Sequence, residues 1–262
     1  MEHTTIEYHR QGDGTAVITL NRPDVFNAIN KDMVSEVTAA LEEVHQDETV
    51  RVLVLTGKGK AFCAGGDLSW LQEAGSHLEK RDIVESAGCL ISRLNGLSKP
   101  VIAAVNGVVA GAGTGVALAC DILVASEKAR FAPNFVNIGA VPDSGASCFL
   151  PRKIGYHRAV ELMLTGKLLS AEEAYAFGIY NQMVQVDKLE KTVFDLAGRL
   201  AAGPQRALTM IKRMLKLSAE NTLQAQLEVE TSMQVAAWAD PDFQEGVRAF
   251  LEGREPRFTI QK

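Results

Sequence analysis

Two glycine clusters, each after an apolar run, are the parts of this sequence best suited to chemistry. The run Val52–Gly57 is followed by Ala61–Asp67, and the run Val101–Gly107 is followed by Ala110–Gly115. In both places a β-branched run typical of a buried strand gives way to residues that leave backbone N–H groups unshielded before a helix. Two such turns side by side would place N–H donors around one developing negative oxygen. The spacing therefore predicts a pair of oxyanion-binding turns.

A lone carboxylate, Asp143, is the third reactive feature. It is the only acidic residue between Glu127 and Glu161, and it lies in the stretch Gly139–Gly145. One interpretation is structural, because Asp is a preferred N-cap and a helix is predicted from here to about Ile154. The other is catalytic, because deprotonation next to a carbonyl needs a base beside an oxyanion site. The local sequence leaves both interpretations open, and they are compatible.

Composition and motif searches argue against several other classes of protein. Of the 262 residues 47% are hydrophobic and 23% charged, and the net charge of −5 comes without a basic stripe for nucleic acid. The four cysteines are widely spread and the five histidines lack metal-ligand spacing. Gly111–Gly115 is not a dinucleotide-binding GxGxxG, and neither a Walker sequence nor GxSxG occurs. No metal, nicotinamide or ATP is expected.

The uncharged segment from Pro100 to Cys120 is long enough to cross a bilayer, but its centre is Asn, Gly and Thr rather than Leu and Ile. A buried strand, a turn and a buried helix explain both its apolarity and its glycines. The amino terminus lacks the basic and apolar parts of a signal peptide. We therefore expect a cytoplasmic protein with no membrane or nucleic-acid partner.

Strands and helices alternate over most of the chain, which favours an α/β fold with a mostly parallel sheet. The predicted strands cover residues 4–10, 16–20, 52–55, 101–105 and 122–125, and predicted helices cover Asn30 to about His45 and about 81–94. Ser170–Glu173 and Asp187–Glu190 have the sequence of capping boxes. Residues 1–195 are predicted to form the core. Residues 196–262 are predicted to form helices, broken at Gly203-Pro204, that contact the core and other subunits.

Five stretches, two of which overlap the glycine turns, occur in a specific order and spacing: Ile18–Pro23 with Asn27-Ala28, Lys60–Asp67, Lys99–Gly107, Cys120-Asp121 and Leu164–Gly166. With them the chain resembles the enoyl-CoA hydratase/isomerase (crotonase) superfamily over nearly its whole length. The resemblance implies a spiral of ββα turns, a helical carboxyl-terminal region and a homotrimer or dimer of trimers. It also implies an acyl-CoA substrate without a separate cofactor, since coenzyme A is part of the thioester.

The resemblance also implies roles for particular residues. The thioester oxygen is expected to be held by the backbone N–H groups of Gly66 and Ala112. The two glutamates of the hydratases are absent, because Gly115 and Phe135 stand at their positions. Hydration by the usual route is not expected, because adding water requires groups that orient water and shuttle a proton. Asp143 instead is similar to the Asp of enoyl-CoA isomerases, including those that act on ring-epoxide or oxepin thioesters.

The substrate-binding residues implied by the same resemblance lie along the nucleotide and pantetheine path: Arg22, Asn27, Ala28, Ala64, Asp67 and Leu68. Phe250 and Arg254 are expected to reach the ligand of a neighbouring subunit. An apolar acyl pocket is predicted from Trp70, Leu71, Phe135 and Phe149, although side chains at such spacing are also typical of a core.

The leading hypothesis is double-bond isomerisation of an enoyl-CoA, with Asp143 as proton shuttle. A hydratase (lyase) or hydrolase acting through Asp143 alone is the first alternative. A dehalogenase with Asp143 as nucleophile ranks lower, because such enzymes also use a His and a Trp. Here the aromatic residue is Phe135, and no second histidine follows His77 before Leu97. A non-catalytic acyl-CoA or RNA binder that kept the fold is a further alternative, and the acidic balance disfavours RNA.

Overall fold

Two sheets organise the chain in the computed structural model, which describes residues 3–258. The larger sheet has six strands in the order β1 (Ile6–Arg10), β2 (Thr15–Leu20), β3 (Val52–Gly57), β5 (Val101–Val105), β7 (Ile122–Ser126) and β10 (Gln182–Val184). The smaller has four, in the order β4 (Ala61–Cys63), β6 (Val108–Ala110), β8 (Arg130–Ala132) and β9 (Leu169–Ser170). All neighbouring strands are parallel except β1 with β2 and β8 with β9.

The helices of the described residues are α1 (Lys31–Gln46), α2 (Leu68–Glu73), α3 (His77–Gly96), α4 (Ala112–Ala119), α5 (Ala146–Ile154), α6 (Tyr156–Thr165), α7 (Ala171–Ala176), α8 (Leu189–Ala201), α9 (Gln205–Leu217), α10 (Leu223–Trp238) and α11 (Pro241–Glu252). Three successive strand pairs, β3–β4, β5–β6 and β7–β8, each place one strand in the larger sheet and the next in the smaller. Helices follow these pairs. This repetition is the ββα spiral that the resemblance implied, so the predicted fold class is confirmed.

The core lies on both faces of the larger sheet, as strand β3 illustrates. Val52 and Val54 pack with α8 residues such as Val193 on one face. Leu53 and Leu55 belong to the main cluster, which includes residues of α1, α3 and α4, on the other face. A parallel strand covered on both sides needs a continuous apolar run rather than an alternating one, which is why this stretch reads as uninterrupted hydrophobic sequence.

Most predicted elements are confirmed to within a few residues, including the strand over 101–105 and the capping box at Ser170. Helix α3 is longer than predicted, because it begins at His77 behind a capping box formed by Ser76 and Glu79. The capping box predicted at Asp187 is wrong: a 3-10 turn occupies residues 186–188, and the N-cap of α8 makes no side-chain cap hydrogen bond. The five strands of two or three residues, all but one in the smaller sheet, were not predicted, because they are too short to show a period.

The carboxyl-terminal helices differ from the rest of the chain in exposure. Helix α8 crosses the boundary predicted at residue 195 and packs on one face of the larger sheet. Among the described residues, the helices that lack such extensive packing on the sheet begin after Pro204. No residue of α9 or α10 is fully buried. Leu223, Phe250 and Leu251 are 76%, 86% and 79% exposed. The chain therefore presents large apolar side chains on these helices.

The segment from Pro100 to Cys120 forms β5, β6 and α4, in agreement with the predicted strand, turn and helix, plus one short strand. Across residues 3–258, no helix combines the length and apolarity that a membrane span requires.

Candidate active site

The two glycine turns meet because the strands before them pair side by side. Strands β4 and β6 are parallel, with Ala61 opposite Val108, so their carboxyl ends lie at the same edge of the smaller sheet. A β-carbon on Gly65 would lie 3.0 Å from the carbonyl oxygen of Ala110 and 3.1 Å from the nitrogen of Ala112. Gly65 also has a φ of +102°, in the region that favours glycine. The predicted juxtaposition of the turns is therefore present.

In each turn the N–H of the proposed donor, Gly66 or Ala112, takes no part in the local hydrogen bonding. An isolated bridge joins Ile29 and Gly66, in which the Ile29 N–H donates to Gly65 O at 2.7 Å and the Asp67 N–H donates to Ile29 O at 2.9 Å. The N–H of Gly66 takes no part in this bridge. Ala112 is the first residue of α4, so its N–H has no acceptor within the helix. These are the two donors expected to hold an oxyanion.

A cavity of about 210 Å³ opens beside both turns. The predicted site residues that line it are Ala64, Gly66, Leu68, Trp70, Leu71, Ala112, Phe135 and Asp143. All three predicted catalytic residues thus face one space. Asp143 is the only ionisable side chain among the described residues that line the cavity. The remaining wall is mainly apolar, which suits a hydrocarbon acyl group.

Asp143 does not cap the helix that follows it, so the structural interpretation of this residue is wrong. The N-cap of α5 is Gly145, which makes no side-chain cap hydrogen bond, and the helix begins at Ala146. Only the main-chain carbonyl of Asp143 is used, as acceptor of the Ala146 N–H at 2.9 Å. Two consecutive residues with positive φ, Ser144 at +49° and Gly145 at +76°, turn the chain into the helix. The carboxylate is therefore free of helix capping.

The environment of the Asp143 carboxyl favours its protonated form. The residue is half-buried, and its Oδ1 atom is buried without a hydrogen-bond partner among the described residues. Burial raises the pKa of Asp143 above its usual range, and interaction with the Ser144 side chain opposes part of that rise. An ionised carboxylate held in this way is a stronger base than one in water.

The two positions where the hydratases carry glutamate have no acid in this protein. Gly115 is buried within α4. Phe135 starts a 3-10 turn over residues 135–138, and its side chain is 6% exposed. Neither position therefore supplies an acid beside the two N–H donors. Across residues 3–258 no three His, Cys, Asp or Glu side chains are grouped as a metal site.

The predicted path for the nucleotide and pantetheine is only partly accessible. Arg22 pairs with Asp67 at 2.8 Å and donates to the carbonyl of Ala28 at 2.6 Å. Asn27 is 0% exposed, and its side chain accepts from the Arg22 N–H at 2.9 Å and donates to Ala61 O at 2.8 Å. Direct ligand contact by the Asn27 side chain is therefore excluded, because its amide is used to hold the turn after β2 against β4.

Three other predicted residues lie away from the cavity of this chain. Phe149 lines a different cavity, next to Leu118 and Arg152, so its assignment to the acyl pocket is wrong. Phe250 lies in a separate apolar groove on the carboxyl-terminal helices. Arg254 pairs with Glu245 and Glu252 at 2.7 and 2.6 Å. Contact of Phe250 and Arg254 with the ligand of a neighbouring subunit stays a prediction.

Sequence reasoning missed a group of wall residues on α3 and one polar residue. Ile83, Val84 and Ala87 line the cavity, and their spacing places them on one face of a helix that is only partly buried. An apolar helix face that the core does not cover is the sequence signal that could have identified these residues as part of the cavity wall. Asn134 was also missed: its Oδ1 accepts the N–H of Gly111 at 3.1 Å and so holds the second glycine turn.

Comparison with known proteins agrees with this geometry. Residues 10–261 match the enoyl-CoA hydratase/isomerase family. The 1,2-epoxyphenylacetyl-CoA isomerase of Escherichia coli is 41% identical over 249 residues, which cover 94% of this chain and 95% of that protein. A probable enoyl-CoA hydratase of Rhodobacter capsulatus is 40% identical over 99% of both chains. The crystal structure of an enoyl-CoA hydratase subunit I from Geobacillus kaustophilus superposes over 100% of both chains, with a TM-score of 0.93 and 38% identity. The chain is therefore an enzyme that belongs to the enoyl-CoA hydratase/isomerase family.

Proposed function

We propose that this enzyme moves the double bond of an enoyl-CoA thioester, with Asp143 as the only proton shuttle. The observation that carries the proposal is that a single ionisable side chain shares an apolar cavity with the two N–H donors of Gly66 and Ala112. A 1,3-proton shift needs one base and one oxyanion site, and it needs no ordered water.

In the proposed reaction the Asp143 carboxylate removes a proton from one carbon of the enoyl chain. The electron pair released from that C–H bond is delocalised through the double bond onto the thioester oxygen, which gives a dienolate. The N–H groups of Gly66 and Ala112 hold this oxygen. The protonated Asp143 then returns the proton to a different carbon, and the thioester carbonyl re-forms with the double bond displaced. No atom is gained or lost.

The surroundings of Asp143 support this role in two ways. Its raised pKa makes the carboxylate a better proton acceptor than an exposed Asp. The side chain of Phe135, in place of an acid, offers no group to orient water against the intermediate. The substrate of the Escherichia coli relative, as its name states, is an epoxide of phenylacetyl-CoA. Ring-bearing thioesters therefore belong in the substrate panel beside straight-chain ones.

The test is an activity screen of wild type and Asp143→Asn against 2-enoyl-CoA, 3-enoyl-CoA and ring-bearing thioesters. Interconversion of the double-bond isomers should fall by about 10²-fold or more in Asp143→Asn, the usual cost of losing a general base. Asp195→Asn is the matched control, because that carboxylate is 59% exposed on α8. Full isomerase activity in Asp143→Asn would exclude the proton-shuttle role.

Hydration is the second candidate, because the Rhodobacter capsulatus relative is named a probable enoyl-CoA hydratase. In that case the enoyl absorbance would disappear and a 3-hydroxyacyl-CoA would accumulate. Release of free thiol would indicate hydrolysis, and release of halide from a haloacyl thioester would indicate displacement by Asp143. Isomerisation yields none of these products, so product analysis separates the candidates.

We also propose that helices α9–α11 form contacts between copies of this chain, as a trimer or a dimer of trimers. The apolar side chains of these helices, among them Leu223, Phe250 and Leu251, are largely exposed in a single chain. Burying apolar area of this kind is the main driving force of association. Light scattering after size-exclusion chromatography should give three or six times the 28.3 kDa chain mass. A monomer at micromolar concentration would refute this proposal.

A further inference from the structure

Gly115 lies against the main chain of the turn that carries Asp143. A β-carbon at position 115 would lie 2.0 Å from the carbonyl oxygen of Ser144, and 2.8 Å from both its carbonyl carbon and its Cβ. Ordinary van der Waals separation is about 3.5 Å, so any side chain at 115 would have to push this turn back by more than about 1 Å. The closest atom belongs to the backbone, which cannot rotate away as a side chain can.

The turn itself has little freedom to accept such a push. Ser144 is 6% exposed and has a φ of +49°, which a residue with a side chain rarely adopts. On the far side, a β-carbon on Gly145 would lie 2.7 Å from the ring of Phe149. The Ala146 N–H holds the Asp143 carbonyl at 2.9 Å. Asp143 to Gly145 are thus packed between α4 and α5.

Helix α4 cannot retreat instead without moving the oxyanion site. On its other side, a β-carbon on Gly113 would lie 2.2 Å from the carbonyl oxygen of Cys63. The helix is therefore in close contact with β4 and with the Asp143 turn at once. Its first residue, Ala112, supplies one of the two proposed N–H donors. A shift of α4 would change the distance from that N–H to both Gly66 and Asp143.

We infer that Gly115 is a positioning residue: the space left by its missing side chain is occupied by the Ser144 carbonyl, and this contact sets where the Asp143 carboxylate lies relative to Gly66 and Ala112. A glutamate at position 115 and Asp143 in its present place exclude one another. In this chain the lack of a side chain at position 115 and the place of the Asp143 carboxylate are thus sterically coupled. This inference rests on the proposed function, because it assumes that Asp143 carries the proton.

The test is Gly115→Ala, with Gly198→Ala as its matched control. Gly198 lies in α8, where an added β-carbon would meet no atom within 4 Å. Alanine is the better helix former at both positions by about 1 kcal/mol, so intrinsic helix propensity does not explain a loss. Gly115→Ala should lower the isomerase kcat by about 10-fold to 10²-fold, the usual effect of a displacement near 1 Å. KM should change little, and Gly198→Ala should keep wild-type kinetics.

A second readout separates positioning from a general loss of structure. If Asp143 is displaced from its buried place, the acid limb of the kcat–pH profile should move to lower pH, toward that of an ordinary Asp. The Gly115→Ala protein should keep the wild-type circular dichroism spectrum at 25 °C, and it should unfold in a cooperative transition at a higher temperature. A variant that does not fold would overturn the inference, since the inference requires a local displacement in a folded protein.

The reverse substitution gives an independent outcome. Gly115→Glu should lose isomerase activity without acquiring hydration, because the Glu displaces Asp143 rather than joining it. Wild-type kinetics and an unshifted pH profile in Gly115→Ala would overturn the inference, and so would a Gly115→Glu variant that isomerises at the wild-type rate. If Asp143→Asn were fully active, the proposed function would fail first. Loss in Asp143→Asn with no loss in Gly115→Ala would reject the positioning role alone.

Discussion

The guanidinium of Arg22 lies 2.8 Å from the carboxylate of Asp67, and Asp67 directly follows the proposed oxyanion donor Gly66. Asp67 also caps α2 by accepting the Ser69 N–H at 3.1 Å. The same guanidinium donates to the carbonyl of Ala28 at 2.6 Å. The ion pair therefore ties the segment after β2 to the turn that presents the Gly66 N–H.

Both members of this pair should affect the same step. We expect Arg22→Ala and Asp67→Asn each to lower kcat by about tenfold, because a small displacement of an oxyanion donor weakens its bond to the intermediate. The double variant should be no worse than either single variant, which a double-mutant cycle of kcat/KM would show. If Arg22 instead binds coenzyme A directly, Arg22→Ala should raise KM while Asp67→Asn leaves it unchanged.

With Asp143 as the proposed base, its raised pKa should set the acid limb of the pH profile. The base must be ionised to accept a proton, so kcat/KM should fall as the pH decreases through that pKa. Because burial raises the pKa, the acid limb should lie above the ordinary Asp range near pH 3.9. The pH profile of isomerisation measures this limb directly. An acid limb at or below pH 3.9 would show that another group, or an exposed Asp143, controls the rate.

Because the Asp143 carboxyl is half-buried, its ionised form should lower the free energy of unfolding at neutral pH. The native state binds the Asp143 proton more tightly than the unfolded chain does, so the free energy of unfolding decreases as the pH rises through this window. Asp143→Asn removes the buried charge and should raise the melting temperature at pH 7. The difference from wild type should shrink as the pH falls below the raised pKa. A less stable Asp143→Asn at pH 7 would mean that the carboxylate makes a favourable interaction that outweighs its burial.

Some features of the candidate site could be predicted from the sequence and others could not. The turns around Gly66 and Ala112 were predictable, because the apolar runs before them specify parallel strands and such strands end at one edge of a sheet. The structural role of the Asn27 side chain could not be predicted, because an Asn looks the same in the sequence whether its amide closes a turn or binds a ligand. Burial distinguishes them: Asn27 is 0% exposed.

Long-range packing accounts for most of what the sequence did not show. The missing acid at Gly115 was visible, but its contact with the Ser144 carbonyl joins two elements separated in the sequence. The α3 wall of the cavity was hidden for a related reason. Ile83 and Val84 are apolar residues of an exposed helix, and only the tertiary arrangement shows that they face Asp143.

Glu36 should contribute to the pH dependence of stability at acid pH, because its side chain on α1 is hydrogen-bonded to the residues just before β1. Its carboxylate accepts the N–H and hydroxyl of Thr5 at 2.9 and 2.8 Å, and those of Thr4 at 3.0 and 2.8 Å. Burial alone would raise the pKa of Glu36, but these hydrogen bonds outweigh it and lower the pKa to about 2. Because the pKa is lowered, the ionised carboxylate stabilises the fold at any pH above 4.5, the ordinary pKa of Glu. This stabilisation is lost as the pH falls toward about 2.

Glu36→Ala should therefore lower the free energy of unfolding at pH 7 by about 1.5–3 kcal/mol, the usual range for hydrogen bonds to a charged group. In thermal melts the difference from wild type should be constant above about pH 5 and diminish between about pH 4.5 and pH 2. Glu161→Ala is the matched control, because Glu161 lies exposed on α6. A gap between wild type and Glu36→Ala that persists unchanged at pH 2 would show that side-chain packing, and not the ionised carboxylate, stabilises this corner of the fold.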